Sequence, residues 1–167
     1  GELGRRMVSI HLNHKDTADE VVQWRPDVVI VATGSHPLIP AIPGARRDNV
    51  ITAWDVLKGK PVGHNVIVVG GGLVGTETAL FLSQKGKHVV LIEMLDDIVQ
   101  DAGSLSRARL KEDLKVTNIE VKCGTRVSEI GETAVSVVNR DGGEHVIPAE
   151  TVVLATGSET ENTLYRN

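Results

Sequence analysis

The sequence predicts an α/β fold: a parallel sheet of buried strands with helices, and an antiparallel three-stranded meander as one crossover. Three observations predict it. Asn65–Val69 is a short apolar run that passes into Gly70-Gly71-Gly72-Leu73-Val74-Gly75; a helical segment follows, then a second apolar run, His88–Ile92, closing on Glu93. That order is a βαβ unit, whose parallel strands are buried on both faces. Thr125–Ile130, Thr133–Asn139 and Glu144–Ile147 are short, β-rich and closely spaced, and Asp141-Gly142-Gly143 between the last two is a hairpin signal. Thr151–Ala155 then returns as one more apolar run and ends on Thr156-Gly157-Ser158.

The remaining elements follow in order. Met7–Leu12 alternates well enough to be a strand. Thr17-Ala18-Asp19-Glu20 is a capping box opening a short helix, which Pro26 terminates. Asp27–Ala32 (DVVIVA) reads as a strand buried on both faces, ended by Thr33-Gly34-Ser35. Pro37, Pro40 and Pro43 recur at every third position, a spacing that favours an extended, hydrogen-bond-poor linker. Thr52 caps a short helix through Leu57, with Asp55 at its third position. The helix after the glycine turn stops where Gly86 supplies a left-handed cap. A loop from Met94 to Gly103 leads to Ser104, the expected N-cap of a helix to about Lys115, and Ile119–Cys123 is the third parallel strand.

The glycine turn carries the chemistry. G-x-G-x-x-G between a strand and a helix, with an acid ending the next strand, is a Rossmann-like dinucleotide-binding pattern. Gly70 permits the turn, Gly72 leaves room for a pyrophosphate, and Gly75 lets the helix pack on the sheet; Gly71 completes the run. Leu73 and Val74 offer backbone N–H groups at the helix N-terminus, whose positive end attracts phosphate; their side chains read as core. Glu93 ends the second strand, where a carboxylate accepts the adenosine ribose hydroxyls and repels a 2′-phosphate, with Met94 beside it. No base follows it along the chain, and Asp96 and Asp97 add charge of the same sign, so NADH is expected over NADPH. Ala155 and Gly157 end the last parallel strand, at the carboxyl edge where ligands bind in such sheets.

Composition excludes other classes. The net charge of −4 and 2% aromatic content offer neither a basic footprint nor stacking platforms for nucleic acid. No apolar run approaches the roughly 20 residues of a membrane span, and no signal peptide is visible, so a cytoplasmic setting is expected. Cys123 is alone, which leaves no disulfide, CxxC pair or cysteine metal cluster. The histidines are scattered, with His11 and His14 on opposite faces of the expected strand, so neither a metal centre nor a catalytic triad is read. The chain opens on glycine, with its first methionine at Met7, which reads as a piece of a longer protein.

An internal echo sets the expected organisation. Asp27–Ser35 (DVVIVATGS) resembles Glu150–Ser158 (ETVVLATGS), and Val8–His11 before the first parallels Ile119–Lys122 before the second. Residues 1–44 therefore read as the tail of one nucleotide-binding domain plus the proline-rich linker, and residues 45–167 as a complete second copy. A stand-alone NAD-sensing or regulatory module remains the alternative.

The stretches DVVIVATGSHPLIPAIPG (Asp27–Gly44), VITAWDVL (Val50–Leu57), NVIVVGGGLVGTETALFL (Asn65–Leu82), VVLIEMLDDIVQDAG (Val89–Gly103) and TVVLATGS resemble the C-terminal portion of NADH:flavin oxidoreductases. Within the two-dinucleotide-fold flavoproteins, the resemblance is to the 2-enoate reductase, 2,4-dienoyl-CoA reductase and trimethylamine dehydrogenase group. It implies an NAD(P) domain plus the tail of an FAD domain, with FMN and an iron–sulfur cluster belonging to a parent barrel. It also places Glu77 near the nicotinamide, against the rival of an ordinary first-turn acid, and Val127 at the adenine pocket, against plain core packing. No second G-x-G-x-x-G and no cluster cysteines are present, so no tight flavin site and no turnover are expected of the chain alone. Its partners are then NAD(H) and the parent's flavin-bearing domains.

Overall fold

The computed structural model describes residues 8–166. The described residues form two compact units, residues 8–36 with 160–166, and residues 37–159. The elements in order are α1 (Ala18–Gln23), β1 (Ser35–Pro37), β2 (Val50–Thr52), α2 (Ala53–Leu57), β3 (Asn65–Val69), α3 (Leu73–Gln84), β4 (His88–Ile92) and α4 (Ser104–Lys115). They continue with β5 (Glu120–Lys122), β6 (Thr125–Ile130), β7 (Ala134–Asn139), β8 (Glu144–Pro148), β9 (Thr151–Leu154), β10 (Ser158–Thr160) and α5 (Thr163–Arg166).

The larger unit is built on a five-stranded parallel sheet of order β2-β9-β3-β4-β5. Its central strands β9, β3 and β4 bury both faces, and alternation decides which residue goes where. Val66, Val68, Val89, Leu91 and Val153 join α2, α3 and α4 in one core, with Leu80, Leu82, Leu110 and Leu114. Ile67, Val69, Val90, Ile92, Val152 and Leu154 face the other way, onto the β6-β7-β8 meander through Val127, Ile130, Val135 and Val137. A continuous apolar run is what a strand between two such layers requires. The chain runs β3→β4→β5 to one side of β3, then crosses by the meander to place β9 on the other side. The strand order thus reverses between β3 and β9, and the crevice at their carboxyl ends is a topological switch point.

Local chemistry explains the element ends. Thr17 and Glu20 form a complete capping box on α1, and Thr52 and Asp55 form one on α2. The Thr52 backbone and hydroxyl donate to Asp55 and hold its carboxyl below the ordinary range. Helix α3 ends in a Schellman arrangement: Gly86 sits at φ +75°, with Gly86 N–H donating to Ser83 O and Lys87 N–H to Leu82 O. The N-cap of α4 is Gly103 rather than Ser104.

Two expected strands are absent. Met7 lies outside the described residues; Val8–Leu12 form no strand and are exposed. Asp27–Ala32, expected to be buried on both faces, is exposed and joins no ladder among the described residues. A strand is defined by its neighbours, and among the described residues of its own unit this segment has none to bond. Conversely β2, the edge partner of β9, carries no sequence signal beyond Val50 and Ile51 before the Thr52 cap. No helix among the described residues is long and apolar enough to cross a membrane.

Candidate functional site

A cleft of about 720 Å³ opens at the switch point of the larger unit. Its floor is the glycine turn. Gly70 follows β3 at φ +105°, and a Cβ there would lie 2.5 Å from Ala155 O, so only glycine lets the turn pass under the end of β9. A Cβ on Gly75 would fall on Gly70 O and within 3.2 Å of the Ala155 methyl, which is why α3 can start so close to the sheet. The turn is tied down on both sides: Gly70 N–H donates to Ile92 O at 2.9 Å, and Ala155 N–H to Val69 O at 2.8 Å.

Glu93 sits at the end of β4 and is buried. Its carboxylate is fixed by two backbone amides, from Gly71 N–H at 2.6 Å and Leu95 N–H at 2.8 Å, one to each oxygen. Charge-assisted bonds to backbone donors hold a carboxylate in one orientation. Each oxygen keeps a further lone pair for a ligand hydroxyl.

Of the residues singled out in the sequence, Gly70, Gly71, Gly72, Glu93, Met94, Val127, Ala155 and Gly157 line the cleft. Leu73, Val74, Gly75 and Glu77 do not; Val74 and Glu77 are exposed on α3, and Gly75 is buried beneath the turn. Val127 is buried in the core against the meander and also lines the cleft.

Other lining residues carry no motif. Leu38 and Ala41, from the proline-rich stretch, form one wall. Leu38 N–H donates to Gly157 O at 3.0 Å and Thr156 Oγ1 donates to Leu38 O at 3.0 Å, a two-way clasp. Arg126 follows Thr125, whose N–H donates to Glu93 O at 2.9 Å, and also lines the cleft. The expectation that nothing basic accompanies Glu93 holds along the chain but not in space. Asp96 pairs with Arg140, and Lys111 Nζ lies 2.6 Å from Asp97, holding that carboxyl below the ordinary range. Strand pairing brings Arg126 and Arg140 there from the meander, and no local spacing signals it.

The loop that closes the cleft, residues 94–103, is strained. Val99 is fully buried at φ +55°, a conformation costly for a β-branched residue, of order 1–3 kcal/mol. Val99 N–H donates to Gly71 O at 2.7 Å and Arg107 Nε donates to Val99 O at 2.9 Å, which together hold it. Two residues on, Asp101 accepts the Leu73 N–H at 2.9 Å. Cys123 lies outside the cleft, and partial burial pushes its thiol up.

The chain is 40% identical over 161 residues to an NADH oxidase of Thermoanaerobacter brockii, covering 93% of this chain and 25% of that protein. It is 41% identical over 162 residues to a cinnamate reductase of Clostridium sporogenes, covering 95% of this chain and 24% of that protein. Among solved structures, a 2-naphthoyl-CoA reductase complex superposes with a TM-score of 0.87 at 26% identity, over 99% of this chain and 25% of that one. Histamine dehydrogenase from Rhizobium sp. 4-9 shares the fold, with a TM-score of 0.78 at 19% identity, over 92% of this chain and 26% of that one. The chain thus spans about a quarter of the length of these relatives, which match the enoate reductase group that the sequence resembles. Residues 3–167 match the model of the pyridine nucleotide-disulphide oxidoreductase family, and the chain belongs to that family of oxidoreductases.

Proposed function

We propose that this chain is the NADH-binding domain of a larger flavin-dependent oxidoreductase, holding the nicotinamide where it donates hydride to a flavin carried elsewhere. The observation that carries this reading is the cleft at the β3/β9 switch point, where the glycine turn that leads into α3 and the pinned Glu93 converge. These residues fit a dinucleotide: the turn leaves backbone bare, the helix end favours phosphate, and Glu93 presents fixed acceptors for ribose hydroxyls. The cofactors supply the redox chemistry, and the chain's own residues bind and orient. Beyond Asp97, which Lys111 offsets, the cleft lining carries two carboxylates, Glu93 and Asp101, against one guanidinium, Arg126. That balance supports NADH over NADPH, whose extra phosphate adds negative charge.

Residues 1–44 are proposed as the tail of an FAD-binding domain with its linker, residues 45–167 as the NAD(P) domain, and the cytoplasm as their setting. Support for the first comes from the exposed apolar run at Val28–Val31, a sequence that is a buried strand in its second copy. FMN and an iron–sulfur cluster belong, on this reading, to other parts of the parent. Parallel calorimetric titrations with NADH, NADPH and FAD test it. NADH is expected to bind most tightly, Glu93→Ala to weaken it about tenfold or more, and FAD not to bind. Tighter NADPH binding would overturn the cofactor preference, and steady NADH oxidation by the flavin-free chain would overturn the positional role.

A further inference from the structure

Asp101 touches the glycine turn at the place a diphosphate would take. Its carboxylate accepts the Leu73 N–H through both oxygens, at 2.9 and 3.2 Å, and a Cβ on Gly72 would lie 2.8 Å from its Oδ2. Leu73 is the first residue of α3, a 12-residue helix whose N-cap, Gly72, has no side chain to cap it. The unsatisfied amides and the positive end of this helix attract an anion, and the cleft already contains one. A bound diphosphate and this carboxylate cannot both take the Leu73 N–H, and their like charges oppose each other.

The loop that carries Asp101 supports the same reading independently. Val99 is kept in its costly left-handed conformation by Gly71 of the glycine turn itself, so the loop's shape is coupled to the floor of the cleft. Asp101 is exposed, so its side chain can leave into solvent while buried Val99 stays anchored.

We propose that Asp101 is an internal anion that occupies the diphosphate seat of the dinucleotide cleft, and that the ligand must displace it to bind. The proposal rests on the dinucleotide reading of the cleft. Asp101 caps α3 in the empty protein and opposes the ligand in the occupied one, so it sets the affinity of the site. A residue with a merely structural role would, when removed, weaken folding and binding together; Asp101 separates them.

The test is calorimetric titration of the whole chain, as wild type, Asp101→Asn and Asp101→Ala, with NADH and separately with inorganic pyrophosphate. Thermal unfolding without ligand is measured alongside. Asp101→Ala, which clears both the charge and the seat, is expected to lower the unliganded melting temperature. It is also expected to tighten NADH binding roughly two- to fivefold, the scale of one exposed charge at a helix end. Asp101→Asn, which removes only the charge, tightens binding less, and pyrophosphate follows the same order. If the wild type binds NADH and both variants bind it equally or more weakly, the displacement proposal is wrong while the dinucleotide reading stands. If none of the three proteins binds NADH, the dinucleotide reading itself fails. Should Asp101→Ala not fold, the direction of change in Asp101→Asn decides the question.

Discussion

The two copies of one short sequence, Asp27–Ser35 and Glu150–Ser158, take opposite roles. In the second copy, Val152 and Val153 are 0% exposed, and β9 bonds to β2 on one side and β3 on the other. In the first, Val28 is 77% and Ile30 87% exposed, and no ladder forms among the described residues. Yet the turns that end them are alike. Gly34 and Gly157 sit at φ +85° and +100°. Thr156 Oγ1 donates to Leu38 O while Leu38 N–H donates to Gly157 O; likewise Thr33 Oγ1 donates to Glu161 O while Glu161 N–H donates to Gly34 O. A threonine–glycine turn makes its clasp wherever a backbone passes by, because the donors and the left-handed glycine are local. A strand needs partners, and burying each valine side chain is worth about 1.5–3 kcal/mol only where other elements cover it.

The largest test of this contrast places a charge in each copy. Val153→Asp puts an unpaired carboxylate into the centre of the sheet and should cost more than about 4 kcal/mol, enough to unfold the unit in chemical denaturation. Ile30→Asp, at the matching position of the first copy, should stay within about 0.5 kcal/mol of wild type. Equal losses would mean that the first copy is as buried in solution as the second.

A smaller effect distinguishes the two turns. Neither Gly34 nor Gly157 has an atom within 4 Å of an added Cβ, so alanine at either costs only the backbone conformation, of order 1–2 kcal/mol in thermal unfolding. Only Gly157 lines the cleft, so Gly157→Ala should also weaken NADH binding and Gly34→Ala should not.

The smallest concerns pH, because only the first clasp has a titratable partner. Hydrogen bonds from Thr163, then from His36, hold the Glu161 carboxyl at about 2, against an ordinary 4.5. A depressed carboxyl contributes stability above its unfolded value and loses it as pH falls, here between 4.5 and about 2. The residue is partly exposed to solvent, so the change is small and best read as a carboxyl chemical-shift titration of Glu161. Thr163→Ala should move its midpoint upward. Leu38, in the second clasp, gives no such response.

The same division between local and distant causes explains what could be read in advance. The capping boxes at Thr17 and Thr52, the cap at Gly86, the glycine turn and the meander were all legible, since each depends on residues a few positions apart. Glu93 was legible because it closes a strand at a fixed distance from the turn. Asp101, Arg126 and the Leu38 wall were not, because each reaches the cleft from a segment whose spacing carries no signal. The charge of Met94–Asp97 is partly offset for a related reason: Lys111 and Arg140 pair with Asp97 and Asp96 from α4 and from the turn after β7.

By itself, then, the sequence determined the α/β class, the βαβ unit, the meander and the glycine turn with its acid, because periodicity, capping and left-handed glycines act over short range. Tertiary structure alone decided which of two near-identical apolar runs becomes a strand. It also placed β9 beside β3 to open the cleft, and it set the carboxylate of Asp101 on the first amide of α3. Those outcomes depend on hydrogen-bond partners and charges supplied from far along the chain, and no single segment encodes them.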